Sequence, residues 1–123
     1  WSANDVFHPV FQRMKDDQAE NIPDFELREN DYVLGPRKMG GNAQSIVKGG
    51  WLHHTSFLWD YDGKNMEYLT LPRKRPDYRQ DRDHSDFLVK LKTIYGTHES
   101  SSDVDTTQLF FGHVKSVSQD AFD

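Results

Sequence analysis

Val6, Phe7, Val10, Phe11 and Met14 recur at helical spacing, which predicts an amphipathic helix over residues 5–16 with Pro9 in its first turns. The next stretch, DDQAENIPD (16–24), has no apolar period and reads as a surface loop. From Phe25 the period changes to two. Phe25 and Leu27, then Tyr32 and Leu34 after a polar interruption, predict one strand or two short ones, ended by Gly35-Pro36. Residues 38–48 and 51–61 predict a hairpin closed by Gly49-Gly50, and Asp62-Gly63 offers a turn into a further strand over 66–71. Pro72 and Pro76 bracket an irregular basic segment. Helical spacing returns over 83–95, where Phe87, Leu88, Leu91, Ile94 and Tyr95 form an apolar stripe, with Ser85 or Asp86 as N-cap and Gly96 as the stop. Residues 97–108 are polar, and LFFGHVKSV (109–117) reads as a last strand or a weakly docked tail. The expected class is α+β: an antiparallel sheet meander with flanking helices.

Composition narrows the function. At 123 residues the chain fits one small domain. Its 35% apolar content stays low even with its 8 glycines added, against roughly 45–50% in average domains on that count. Together with a first residue that is not methionine, this leads to the expectation that the chain is part of a larger domain. A net charge of −5 argues against general nucleic-acid binding, which needs a basic surface to neutralise phosphates. Without cysteine the chain has no disulfide, no thiolate nucleophile and no cysteine-held metal. No apolar run reaches the roughly 18 residues of a membrane-spanning helix.

The stretch RKMGGNAQSIVKGGWLHHTSFLWDYD (37–62) carries the candidate chemistry. A lysine beside glycines can meet a phosphate or carboxylate closely, because no Cβ stands between ligand and backbone. Lys38 would then be a fixed positive charge for an anionic transition state. The plainer reading makes Lys38 a solvated lysine at a strand start and Gly40-Gly41 a bulge or kink. KMGG is not a phosphate-binding P-loop, whose lysine follows the glycines. Adjacent strand residues point to opposite faces, so His53 and His54 cannot easily share a metal ion. His53 falls with Trp51, Thr55, Phe57 and Trp59, and His54 with Leu52, Ser56 and Leu58. PRKRPDYRQDR (72–82) reads as a solvated loop, or alternatively as an anion-facing one.

These residues resemble the lipoate-protein ligase family. Its members show a loose pattern Lys-x-x-Gly-[Ser/Asn]-Ala, about ten residues, then His-His-[Gly/Thr]-[Thr/Ser], which Lys38 to Ser56 matches without a gap. LRENDYVLG upstream and PDYRQDRDHSDFL downstream are similar to a eukaryotic branch, and the likeness covers about residues 5–95. It implies the C-terminal portion of a biotin/lipoate ligase-type catalytic domain over 1–96, followed by a polar linker and C-terminal tail over 97–123. It also implies activation of lipoate or octanoate by ATP with Mg²⁺, and acyl transfer to a lysine of a lipoyl domain. The partners would be 2-oxoacid dehydrogenase complexes or the glycine-cleavage H protein, in a mitochondrion or plastid.

By the same resemblance Lys38 is the catalytic lysine. Gly40, Gly41, Asn42, Ala43 and His54 line the adenylate, and Asn30 and Asp31 hold nucleotide or Mg²⁺, without a dedicated protein metal site. The family's Arg-Arg-x-Ser-Gly-Gly-Gly loop and His-Asp-x-Gly-Asn motif are absent from this chain. The expectation is therefore about half of an active site. Two alternatives remain open: an ATP-independent octanoyl or lipoyl transferase, which would need a cysteine from elsewhere, and a non-catalytic ligase-like binding module.

Overall fold

The long apolar periods become helices packed on one face of a four-stranded sheet. These elements come from a computed structural model that describes residues 3–18, 22–96 and 106–122. Helix α1 (Ala3–Gln18) contains Pro9 and buries Val6, Val10, Phe11 and Met14, the stripe its spacing predicts. Strands β1 (Phe25–Arg28) and β2 (Asp31–Leu34) are joined by Glu29-Asn30, with Glu29 at φ +53°. Strands β3 (Arg37–Val47) and β4 (Gly50–Phe57) form the long hairpin. The order is β1-β2-β3-β4 with every pair antiparallel, so the chain is an α+β meander as expected.

The hairpin turn is Lys48-Gly49, one residue before the expected pair. Gly50 already lies in β4 opposite Val47, and Gly49 takes φ +89°, a conformation glycine adopts without a Cβ clash.

Three expected elements differ. The strand over 66–71 does not form. Instead Asp62 accepts the Lys64 N–H at 3.0 Å and caps one helical turn, α2 (Gly63–Met66), after which Tyr68, Leu69 and Leu71 stay exposed. The local cap starts a helical turn there instead, and β4 stays at the edge of the sheet. The single helix over 83–95 is two: α3 (His84–Phe87) and α4 (Leu91–Tyr95). Asp83, rather than Ser85 or Asp86, is the N-cap of α3, accepting the Asp86 N–H at 2.8 Å. Between the two, Leu88 is extended and bridges to Lys38, and the Val89 N–H donates to the Lys38 carbonyl at 2.9 Å. Tertiary pairing claims the backbone groups that a continuous helix would have used.

The third difference is at the end of the chain. The expected strand or tail over 109–117 lies within a helix, α5 (Thr106–Phe122). Its Phe110 is buried among Phe11, Phe57, Trp59 and Tyr95, and Val117 joins the same core. The segment after residue 105 is thus part of the packed core rather than a tail beyond it. Residues 97–105 of the expected linker lie outside the described residues.

Tyr32, Leu34 and Met39 from the sheet meet α1, α4 and α5 in this core. The sheet's opposite face carries Lys38.

Candidate functional site

An irregularity in β3 sets which way Lys38 faces. Leu34 pairs with Arg37 and Val33 with Lys38, but Tyr32 pairs with Gly40 and Asp31 with Gly41. Met39 is therefore the extra residue of a bulge, and its side chain is buried in the core. Uninterrupted alternation would put Lys38 and Gly41 on opposite faces. With the bulge, Lys38 shares a face with Val33, Asp31 and Gly41. The β3–β4 register then adds Ser56 opposite Gly41 and His54 opposite Ala43.

On that face Lys38 Nζ lies 2.7 Å from Asp31 Oδ1, with side chains 29% and 11% exposed. Asp31 Oδ2 accepts from the Tyr78 hydroxyl at 2.8 Å. Burial, and then the Asp31 carboxylate, push the Tyr78 hydroxyl's pKa far above its ordinary value, so Tyr78 stays a donor that holds Asp31 in place. Asn42 holds the adjacent turn, donating to the Asn30 carbonyl from its side chain at 3.0 Å and its backbone at 3.2 Å.

The two glycines have separate reasons. A Cβ at Gly40 would stand 2.6 Å from the Ser56 carbonyl oxygen, so that glycine permits the β3–β4 approach. A Cβ at Gly41 would meet Asp31 Oδ1 at 3.5 Å and Lys38 Nζ at 3.6 Å, ordinary contact distances. It would fit, and it would cover the ammonium.

Lys38, Gly40, Gly41, Asn42, Ala43, His54, Asn30 and Asp31 all line one cleft of about 500 Å³. Its remaining wall is Ser56, Leu58, Arg79, His84, Phe87 and Leu88. A smaller hollow of about 280 Å³ adjoins it at Asn30, Asp31 and Lys38, and is otherwise lined by Glu29, Lys74, Arg75 and Pro76. The basic segment is thus at the site's edge, anchored by Glu29, which accepts the Asp77 N–H at 2.9 Å. The two histidines separate as alternation requires. His54 stands at the cleft, whereas His53, with Gln44 Nε2 at 3.2 Å from its Nδ1, lines an apolar hollow on the helix side with Phe7, Phe57 and Phe110.

Tyr78, Arg79, His84 and Phe87 are site residues that no local pattern identifies. The family likeness marks their segment, but Tyr78 meets Asp31 across 47 positions, beyond the reach of any periodicity.

The arrangement suits an anionic ligand: a cation held beside a glycine, with apolar Leu58, Phe87 and Leu88 nearby. Both Asp31 oxygens already accept hydrogen bonds, and among the described residues no group of three or more His, Cys, Asp or Glu could hold a metal ion.

Residues 4–107 match the lipoyl protein ligase A/B catalytic domain family. The inactive lipoate–protein ligase 2 of Plasmodium falciparum is 40% identical over 79 residues, covering 55% of this chain and 21% of that relative, so the chain spans about a fifth of its length. No solved structure matches the chain. With most of its length matched, including the strand that holds Lys38 and the segment that supplies Tyr78 and Arg79, this chain belongs to the lipoyl protein ligase A/B catalytic domain family.

Proposed function

We propose that the chain contributes the lysine face of an ATP-dependent lipoate–protein ligase site. The observation that carries this reading is the Lys38 ammonium, fixed by Asp31 and left approachable by Gly41, in a cleft of about 500 Å³. In the first step a lipoate or octanoate carboxylate oxygen attacks the α-phosphorus of ATP, and the bond to pyrophosphate breaks. In the second, a lysine amine of a lipoyl domain attacks the acyl carbon. The bond to AMP breaks and the amine loses a proton.

Two anions must meet in the first step, and Lys38 lowers their mutual repulsion by offering charge where it accumulates. Gly41 and Ala43 let the ligand lie against β3, and His54 flanks it across the hairpin. Mg²⁺ belongs to the nucleotide as substrate, and no residue of this chain is assigned to it. The acceptor is a lipoyl domain of a 2-oxoacid dehydrogenase complex or the glycine-cleavage H protein.

The matched relative is named an inactive ligase, which supports a second reading: a ligase-like module that binds acyl-adenylate without making it. Incubation with ATP, lipoate and a lipoyl domain, following pyrophosphate release and acylation, separates the two. Lys38→Ala is expected to slow both steps about 10²–10³-fold, the usual effect of removing one charge-stabilising donor. Equal rates in the variant would refute the role of Lys38. Tight binding of lipoyl-AMP by a wild-type protein that releases no pyrophosphate would favour the binding module.

A further inference from the structure

Of the arginines on the segment that walls the cleft, Arg75 and Arg82 spend their guanidinium groups on the protein itself. Arg75 pairs with Asp81 and donates to the Pro72 carbonyl. Arg82 donates to three backbone carbonyls, those of Pro36, Tyr78 and Arg79, at 2.8, 2.9 and 3.1 Å. That is how a structural arginine behaves here: its fork staples the segment to itself and to the strand turn.

Arg79 behaves differently. It stands at the end of a short 3₁₀ turn, Asp77–Arg79, and is only 5% exposed. Its Nε donates to the Arg82 carbonyl at 3.2 Å, but its Nη2 is buried with no hydrogen-bond partner. No carboxylate among the described residues lies within ion-pair distance of it. Its guanidinium carbon is 4.5 Å from the centroid of the Phe87 ring, and Phe87 and Arg79 both line the cleft that holds Lys38. Burial, and then the charges of Arg75 and Arg82, pull its pKa below the usual arginine value, outweighing the opposing charge of Asp83. A buried donor without a partner is costly and rare.

We infer that Arg79 is the cleft's second anion contact, its guanidinium donating to a phosphoryl oxygen of a polyphosphate that Lys38 engages from β3. This deepens the ligase reading and rests on it for the nature of the ligand. The residue type fits the task. A guanidinium can lay its face on Phe87 while donating along its edge, which an ammonium cannot do. Arg79 and Lys38 come from separate walls of one cleft, so a bound polyphosphate would tie the 3₁₀ segment to β3. The adjoining hollow brings Lys74 and Arg75 beside Lys38, together with the carboxylates of Glu29 and Asp31.

The test is calorimetric titration of the full 123-residue chain with pyrophosphate and, separately, with AMP, alongside melting curves. Wild type, Arg79→Lys, Arg79→Met and Lys38→Ala are compared. Arg79→Lys and Arg79→Met are expected to weaken pyrophosphate at least tenfold, with Tm in Arg79→Lys within a few degrees of wild type. A loss confined to pyrophosphate places the contact on the leaving group, and an equal loss for AMP places it on the α-phosphoryl oxygens; either supports the inference. Affinity within twofold of wild type in Arg79→Lys overturns it, as does a fall in Tm without a fall in affinity, which is the signature of a purely structural arginine. Should Arg79→Met fail to fold, Arg79→Lys decides alone. Wild-type protein that binds neither probe also overturns it. Normal binding by the Arg79 variants beside a failed Lys38→Ala removes this inference and leaves the ligase reading intact. Normal binding by Lys38→Ala beside failed Arg79 variants keeps Arg79 as a phosphate contact but overturns the shared engagement with Lys38 and the role of Lys38 in the ligase reading.

Discussion

Gly40 and Gly41 are adjacent and chemically identical, yet their surroundings ask different things of them. Gly40→Ala forces a Cβ to 2.6 Å from the Ser56 carbonyl oxygen, and β3 and β4 must part. Overpacking of this kind costs about 1–3 kcal/mol, which a denaturant titration will read as a lower midpoint. Gly41→Ala should leave that midpoint close to wild type and weaken nucleotide binding instead, because the new methyl sits over Lys38 Nζ. If Gly41→Ala bound ATP as well as wild type, the open approach to the ammonium would not matter. The sequence shows two glycines near a lysine, and the family likeness names both. Only the register shows that Gly40 serves the sheet and Gly41 the cleft. Tyr78 and Arg79 are legible in the sequence as members of a basic loop and no more, since their partners lie on β2 and in the cleft wall.

At the scale of elements, α3 depends on a cap that also titrates. Asp83 accepts from the Asp86 N–H and the Ser85 hydroxyl, and these hydrogen bonds hold its carboxyl below the ordinary aspartate pKa, the Asp86 bond first. A depressed folded-state pKa stabilises the fold above the unfolded value of about 3.9 and loses that contribution as pH falls through the folded value. Asp83→Ala should therefore melt a few degrees below wild type at pH 7, and the gap should close as pH falls below about 4. A gap that persists at low pH would mean that Asp83 acts by packing and not as a charged cap. Helix α5 makes a larger contribution through one side chain. Phe110 touches rings from α1, β4, α4 and the segment after β4, so Phe110→Ala should cost about 3–5 kcal/mol in a denaturant titration. The spacing of Phe110, Val114 and Val117 is helical, but Gly112 and the β-branched valines masked it in a sequence reading.

At the scale of the whole molecule, the far end of the β3–β4 hairpin extends past the other strands, and Ile46, Val47, Trp51 and Leu52 are exposed there. Net charge vanishes near pH 5.6, where charge repulsion no longer opposes contact between apolar patches. Light scattering should thus peak near pH 5.6, and a variant with Ile46→Ser and Leu52→Ser should scatter less at that pH. Equal scattering would place the sticky surface elsewhere.

What the sequence by itself determined is what local periodicity encodes. Helix α1, the meander of β1 to β4, the opposite faces of His53 and His54, and the stretch bearing Lys38 all follow from spacings of two to four residues. The tertiary structure decided the rest. It broke 83–95 into two helices because Leu88 and Val89 pair with Lys38, and it drew α5 into the core through Phe110. It turned Lys38 toward Gly41 by a bulge at Met39 that β2 defines, and it set Tyr78 and Arg79 around the cleft. Each of these outcomes depends on groups far apart in the chain competing for the same hydrogen bonds or the same buried volume, and no window of neighbouring residues contains both competitors.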